Sequence, residues 1–318
     1  MQPLSTAEVI AVGSELLTPF RSDTNSLFLT ARLNELGILV RQKTIIGDDA
    51  PELAAAVKAA LGRVDLVVTC GGLGPTEDDL TREAVAALLG LPLTEDRGVL
   101  SQLEARFAAR GWEMPDNNRR QALVPVGAVV LDNPRGTAPG LWLEQGEQVV
   151  VLLPGPPREL EPMFTELSHL RLAERTTSAR LYRRVLKVAG LGESHVEERV
   201  QPVYERWRYT DPSVATTVLA SPGLVELHLS TRSADSAAAA VVLEEATLEL
   251  AGKLGDKLFS TDGRSMSEVV GALLDQGGFQ VAVGESCTGG LLTGRLVDVP
   301  GSSRYLRAGM VAYSNEQK

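Results

Sequence analysis

The run at residues 64–70, VDLVVTC, reads as a strand buried on both faces, which places it inside a sheet covered from both sides. It ends on Gly71, and glycine returns at Gly72 and Gly74, so the chain turns sharply where the strand stops. Strand and helix patterns alternate around it. EVIAVG (8–13) reads as a first strand, and DTNSLFLTARLNELG (23–37) as a helix capped by Asp23 or Thr24, with Leu29, Leu33 and Leu36 on one face. ILVRQKTII (38–46) is a second strand; DAPELAAAVKAALG (49–62) then sets Leu53, Val57 and Leu61 at i, i+4 and i+8 behind Pro51. EDDLTREAVAALLG (77–90) is expected to be helical from its acidic start. Such alternation specifies an α/β fold with a doubly wound, mostly parallel sheet.

A further helical pattern covers roughly residues 95–110, and GLWLEQ (140–145) with QVVVLLPG (148–155) reads as a hairpin. PPRELEPMFTEL (156–167) is the last helix before an expected boundary near residue 170. From residue 181 the order changes to strand, helix, two strands and a long helix, a small α+β unit. A third segment opens with the helix SMSEVVGALLDQGG (265–278) and the strand and turn VAVGESCTGG (281–290). The expected domains are 1–170, 171–260 and 261–318, in keeping with roughly 100–200 residues per domain for a 318-residue chain.

No apolar run is long enough to span a membrane, and the N-terminus enters a strand with no basic segment ahead of it, so neither membrane insertion nor secretion is expected. Two cysteines far apart, Cys70 and Cys287, fit a reducing cytoplasm rather than a disulfide framework or a zinc site. A net charge of −10 disfavours nucleic acid as a partner but leaves room for a phosphorylated small molecule whose charge is neutralised locally.

The strongest chemical signal is CGGLGPTEDDLT (70–81). Glycines after a central strand let backbone amides approach an anion, and the following helix directs its positive end there. Glu77, Asp78 and Asp79 would repel phosphate unless a hard divalent cation lies between, although first-turn acids are also ordinary caps. Asp48 and Asp49 follow the second strand, and Gly13, Ser14 and Glu15 follow the first, so all could meet outside the carboxyl ends of the strands. Helix capping by Asp49 is the simpler alternative. NNRRQ (117–121) and LPGPP (153–157) offer guanidinium groups and a second turn, with Arg119 and Arg120 otherwise a solvated basic face.

In the third segment Ser286 lies between strand and helix, where the amides of Cys287, Thr288 and Gly289 could form an oxyanion hole; the alternatives are a helix cap for Ser286 and inert packing for Cys287. In the middle unit, residues 171–208 hold nine Arg or Lys against five Glu. A G-x-x-G loop that would clamp an RNA backbone is missing, since AGLGES sets Gly190 and Gly192 one residue apart, so a spacer or dimerisation role is favoured.

VGSELL, SDTNS, GGLGPTEDDLT, NNRRQA, NPRGTAPG and LLPGPPRELEPM occur in an order that resembles the N-terminal domain of the CinA (competence/damage-inducible) family, similar to the molybdopterin-binding fold. The resemblance implies a metal-dependent nucleotide pyrophosphatase that cleaves ADP-ribose to AMP and ribose 5-phosphate, using Mg²⁺, Mn²⁺ or Co²⁺. It assigns catalytic roles to Asp48 and Asp79, metal contacts to Glu15, Asp78 and Asp79, and substrate contacts to Gly13, Ser14, Gly71, Gly72, Gly74, Thr76, Asn117, Arg119 and Gly155. The middle unit resembles the family's KH-like domain. ESCTGG followed by PGSSRYLRAGMVAYSNEQK resembles the start of its nicotinamide-nucleotide amidase domain, implying Ser286 as nucleophile, assisted by Tyr313 and Lys318, with Thr288 and Gly289 on the substrate. That fold normally continues well past this point, so the amidase is expected to be truncated and impaired. A cytoplasmic homodimer acting on a small nucleotide is the resulting expectation. Residual deamidation of nicotinamide mononucleotide, or a non-catalytic nucleotide- or pterin-binding scaffold, are the alternatives.

Overall fold

The computed structural model describes residues 3–318, and the chain divides into two compact units, Met1–Leu181 and Tyr182–Lys318. In the first, strands β1 (Thr6–Val12), β2 (Leu39–Ile46) and β3 (Leu66–Cys70) alternate with helices α1 (Asn25–Glu35), α2 (Ala50–Leu61) and α3 (Thr81–Leu89). A short pair, β4 (Leu93–Glu95) and β5 (Leu123–Pro125), brackets α4 (Arg97–Ala108); β6 (Val129–Leu131), β7 (Gly140–Gln145), β8 (Gln148–Leu153) and α5 (Pro157–Leu167) follow. The main sheet runs β2-β1-β3-β8-β7-β6, parallel from β2 to β8 and antiparallel through the β8–β7–β6 edge.

Strand residues alternate between two cores. Ile10, Val67, Val150 and Leu152 meet Leu53 and Val57 of α2, Val85 of α3 and Leu103 of α4 on one face. Val9, Val68, Val149 and Val151 meet Leu29 and Leu33 of α1 and Leu160, Met163 and Phe164 of α5 on the other. This period of two on a sheet covered by helices on both faces is the doubly wound, mostly parallel α/β arrangement expected. Beyond α5 the chain closes back on its beginning, since the Leu4 amide donates to Arg175 O at 2.6 Å and Leu4 bridges Thr176.

One local expectation changes. α3 starts at Thr81, so Glu77, Asp78 and Asp79 lie in the turn before the helix rather than in its first turn. NNRRQ belongs to a 3₁₀ segment, Asp116–Ala122.

In the second unit, β9 (Arg180–Ala189), α6 (Glu193–Trp207), β10 (Val214–Ser221), β11 (Leu224–Ser233), α7 (Ser236–Leu254) and β12 (Leu258–Ser260) form a β10-β11-β9-β12 sheet. Val196 and Val200 of α6 and Val242, Leu243 and Leu250 of α7 pack with Leu186, Val188, Leu227 and Leu229 of the strands. The loop between β9 and α6 carries Gly190 and Gly192 with no G-x-x-G spacing. The remainder folds as α8 (Met266–Gln276), β13 (Val281–Glu285), α9 (Leu291–Val297) and β14 (Leu306–Val311), with β13 and β14 parallel around Val283, Leu296 and Tyr305.

Candidate functional site

β1, β2, β3 and β8 all end at one crevice of about 660 Å³. Its floor is the glycine turn after β3. Gly71 has φ +109, and a Cβ there would run into the Val12 carbonyl oxygen of β1; Gly72, at φ +67, would collide with the Thr81 hydroxyl. The chain therefore has room only for glycine where β1 and β3 abut. Thr81, fully buried, closes the neck of the loop: its hydroxyl donates to Gly71 O at 2.8 Å and its amide to Gly72 O at 3.0 Å.

At the loop's far end the Thr76 amide donates to Asp79 Oδ2 at 2.9 Å, the Thr76 hydroxyl donates to the same oxygen, and the Asp79 amide returns to Thr76 O at 3.2 Å. Gly74 lies so close beneath the Asp79 carboxylate that a Cβ would strike it.

On the second wall the Ser14 amide donates to Asp48 Oδ2 at 2.8 Å, and the Asp48 amide donates to Ser14 Oγ at 3.0 Å. Asp49 caps α2 by accepting from the Glu52 amide at 2.8 Å, its simpler alternative, while Asp48 lines the crevice. The third wall is the turn after β8, where Asn25 Nδ2 donates to Gly155 O at 2.7 Å. Behind it Asn133 Nδ2 donates to Glu159 Oε2 at 2.9 Å, holding the 133–139 loop against α5. Cys70 at the base is inert: burial, with the Asp23 charge adding, pushes its thiol up to about 12.

Glu15, Asp48, Asp78, Asp79, Gly13, Gly71, Gly72, Gly74 and Gly155 thus meet in the crevice, while Ser14 acts behind Asp48 and Thr76 behind Asp79. Arg119 does not reach it: its guanidinium forms a two-pronged pair with Glu95 at 2.6 and 2.9 Å. Asn117 is exposed and also lies outside the lining. The three-residue period of the 3₁₀ segment turns Asn118 and Gln121 inward instead, Gln121 lining the crevice and donating to Leu73 O at 3.3 Å. Arg21, Asp23 and Glu159 also line the crevice; of the two expected caps of α1, Thr24 occupies the N-cap position, and Asp23 just before it accepts from the Ser26 amide at 2.9 Å.

Glu15, Asp23, Asp48, Asp78, Asp79 and Glu159 are the acids of the lining, against Arg21 as its cation among the described residues. Among those residues no three His, Cys, Asp or Glu side chains cluster closely enough to hold a metal ion, so Glu15, Asp78 and Asp79 do not make a ready three-ligand centre. The donor set fits a hard cation that keeps its waters and takes one or two carboxylates together with substrate phosphates.

In the second unit Ser286 follows β13, and Tyr313 lies just past β14 at the same end, because Glu285 pairs with Val311 and the Ala312 amide donates to Glu285 O at 2.8 Å. Ser286 Oγ is buried without a hydrogen-bond partner. Ser286 does not cap α9; Glu285 does, accepting from the Leu292 and Thr293 amides at 2.9 and 2.8 Å and from the Thr293 hydroxyl at 2.5 Å. The Thr293 hydroxyl first, then the Thr293 and Leu292 amides and the Thr288 hydroxyl, draw Glu285 down to about 2 against its burial. The Gly289 amide closes the turn onto Ser286 O at 3.0 Å, which removes it from the expected oxyanion donors. Lys318 Nζ lies 5.6 Å above the Tyr313 ring. Cys287 is an exposed thiol.

Three family matches tile the chain: "Probable molybdopterin binding domain" over residues 8–174, "Damage-inducible protein CinA KH domain" over 183–260 and "CinA C-terminal domain" over 263–318. A CinA-like protein of Koribacter versatilis is 48% identical over 317 residues, covering 98% of this chain and 75% of the relative. The chain belongs to the CinA family. A CinA-like protein of Acidobacterium capsulatum is also 48% identical, over 316 residues, with the same coverage. Among solved structures, a CinA protein of unknown function from Thermoplasma acidophilum is 35% identical, with a TM-score of 0.48 over 51% of this chain and 96% of its own. No helix among the described residues is long and apolar enough to cross a membrane.

Proposed function

We propose that this CinA-family chain is a hydrolase whose glycine-loop crevice binds a nucleoside diphosphate, cleaving ADP-ribose to AMP and ribose 5-phosphate with a divalent cation, Mg²⁺, Mn²⁺ or Co²⁺. The observation that carries the reading is a mismatch of shape and charge. The crevice has the size of a small-ligand site and a glycine floor that leaves room for phosphate oxygens, yet its rim is acidic apart from Arg21. A diphosphate fits such a rim only when accompanied by cations. A bound divalent ion supplies Lewis-acid polarisation of the phosphoryl oxygens. Asp48, fixed by Ser14, orients a water or takes its proton, and Asp79, fixed by Thr76, lines the same crevice.

AMP formation from ADP-ribose by the purified chain, with each of the three metals and with chelator, tests this. Metal-dependent product reduced at least about a hundredfold in Asp48→Asn and Asp79→Asn is expected. Product unaffected by both substitutions would overturn the site, and tight ADP-ribose binding without product at any metal concentration would favour the scaffold reading.

A second reading rests on the buried, unpartnered Ser286 Oγ at the strand end it shares with Tyr313. Ser286 would attack the carboxamide of nicotinamide mononucleotide, with Tyr313 and Lys318 assisting. Ammonia release that disappears in Ser286→Ala tests it. A cytoplasmic homodimer remains part of the proposal, and sedimentation of the purified chain decides the oligomeric part.

A further inference from the structure

The loop between β3 and α3 has two clasps, and only the neck, made by Thr81, lies within its own sequence neighbourhood. The other comes from Arg120, forty-one residues beyond Asp79. Arg120 Nη1 donates to Thr76 O at 2.5 Å and Nη2 to Asp79 O at 3.2 Å, so one guanidinium grips the carbonyls at both ends of the turn that presents Asp79. The same Nη2 lies 3.0 Å from Glu83 Oε1 in α3, and that oxygen also meets Arg82 Nη2 at 3.1 Å. Arg82 is almost wholly buried. Burial alone would raise the Glu83 carboxyl, but the Arg82 charge and the Arg120 hydrogen bond outweigh it and hold Glu83 below its ordinary range. Arg120 is thereby anchored at its back to a half-buried ion pair and at its front to two backbone oxygens. A planar fork with several donors suits this geometry, and an ammonium cannot reproduce it.

We infer that Arg120 is a positioning residue for the proposed pyrophosphatase, fixing through the Thr76 and Asp79 carbonyls the place of the Asp79 carboxylate over the glycine floor. The inference rests on the reading given above for the crevice. It requires no contact between Arg120 and the substrate, and Arg120 is absent from the crevice lining. Small displacements of a reacting group are costly, a shift of about 1 Å lowering a rate by as much as about a hundredfold.

The test compares wild type, Arg120→Ala and Arg120→Lys in two measurements. In amide hydrogen exchange, Arg120→Ala should speed exchange at Thr76 and Asp79 while Leu53 and Val57 of α2 keep their protection, with Arg120→Lys intermediate. In AMP formation, kcat should fall about ten- to a hundredfold with KM for ADP-ribose changed less than about threefold, and added guanidinium should restore part of the kcat of Arg120→Ala. Unchanged loop exchange in both variants would overturn the clasp. Faster loop exchange with an unchanged kcat would overturn the positioning role. A wild type that makes no AMP would sink the pyrophosphatase reading and the catalytic part of this inference, and exchange would still judge the clasp. Should α2 lose protection in Arg120→Ala, the milder Arg120→Lys decides by the same two readouts.

Discussion

Ser14 and Asp48 hold each other across the ends of β1 and β2, each side chain accepting from the other's backbone amide, at 2.8 Å on Asp48 Oδ2 and 3.0 Å on Ser14 Oγ. Thirty-four residues separate them in sequence, so the pair forms only when the two strands are in register. It leaves Asp48 with one carboxylate oxygen committed to the fold and the other available to the crevice. Ser14→Ala removes an acceptor at an exposed site, which should cost no more than about 1 kcal/mol of stability in urea unfolding. AMP formation should nonetheless fall, because the Asp48 amide loses the partner that orients its residue. An Asp48→Asn variant should be as stable as Ser14→Ala and far less active; equal activity in wild type and both variants would remove Asp48 from the site.

Asp65 carries more of the architecture. Its Oδ2 accepts from the Ser5 amide and hydroxyl, both at 2.8 Å, and from the Thr6 amide and hydroxyl, both at 2.9 Å, tying the entry of β1 to the entry of β3. Asp65→Ala abandons all four donors at a half-buried site, and a loss of about 1–3 kcal/mol in urea unfolding is expected. Asp65→Asn keeps an acceptor and should lose less. Equal losses in the two variants would mean that the carboxylate's hydrogen bonds are not what holds the strand entries together.

The doubly wound sheet was legible because its signals are local: a strand apolar on both faces at Leu66–Cys70, and helices whose apolar residues recur at i and i+4, such as Leu53 and Val57. The crevice was legible in outline, since strand ends and glycines mark it. What escaped depends on contacts distant in sequence or on local phase. Glu77 to Asp79 precede a helical pattern as first-turn acids do, but Thr81 reaches back ten residues to Gly71 and starts the helix later. Arg119 and Arg120 are adjacent and chemically identical; the phase of the 3₁₀ turn sends one to Glu95 and the other to the glycine loop. Ser286 matches the composition of a cap, yet Glu285, arriving from the preceding strand, occupies the α9 amides first.

Glu285 makes the second unit acid-sensitive in a defined window. Its carboxyl titrates at about 2 in the folded chain, drawn down first by the Thr293 hydroxyl, against an ordinary value of about 4.3 for an unfolded Glu. A depressed folded value means stabilisation that is fully present above the unfolded value and lost as pH falls toward 2. Protection of the Thr293 amide from hydrogen exchange should therefore decline between about pH 4 and pH 2. Glu285→Gln cannot ionise, so it should begin with lower protection and show little further loss across that range. A variant with the wild-type acid profile would place the sensitivity elsewhere.

Gly71 and Gly74 lie three residues apart in one loop, and alanine at each should do different damage. At Gly71 the new methyl meets the Val12 carbonyl, a backbone atom held within the sheet, in a region of φ that side chains avoid. Neither obstacle can relax without parting β1 from β3, so Gly71→Ala should lose at least about 2 kcal/mol in urea unfolding. At Gly74 the obstacle is the Asp79 carboxylate, the mobile end of a side chain. That carboxylate can swing aside, breaking its bonds to the Thr76 amide and hydroxyl while the neck of the loop stays closed through Thr81. Gly74→Ala should consequently unfold within about 1 kcal/mol of wild type yet lose most of its AMP formation, as is expected of Asp79→Asn. If Gly74→Ala kept full activity, the position of the Asp79 carboxylate would not govern the chemistry, and the catalytic carboxylate would have to be sought on the Asp48 side of the crevice.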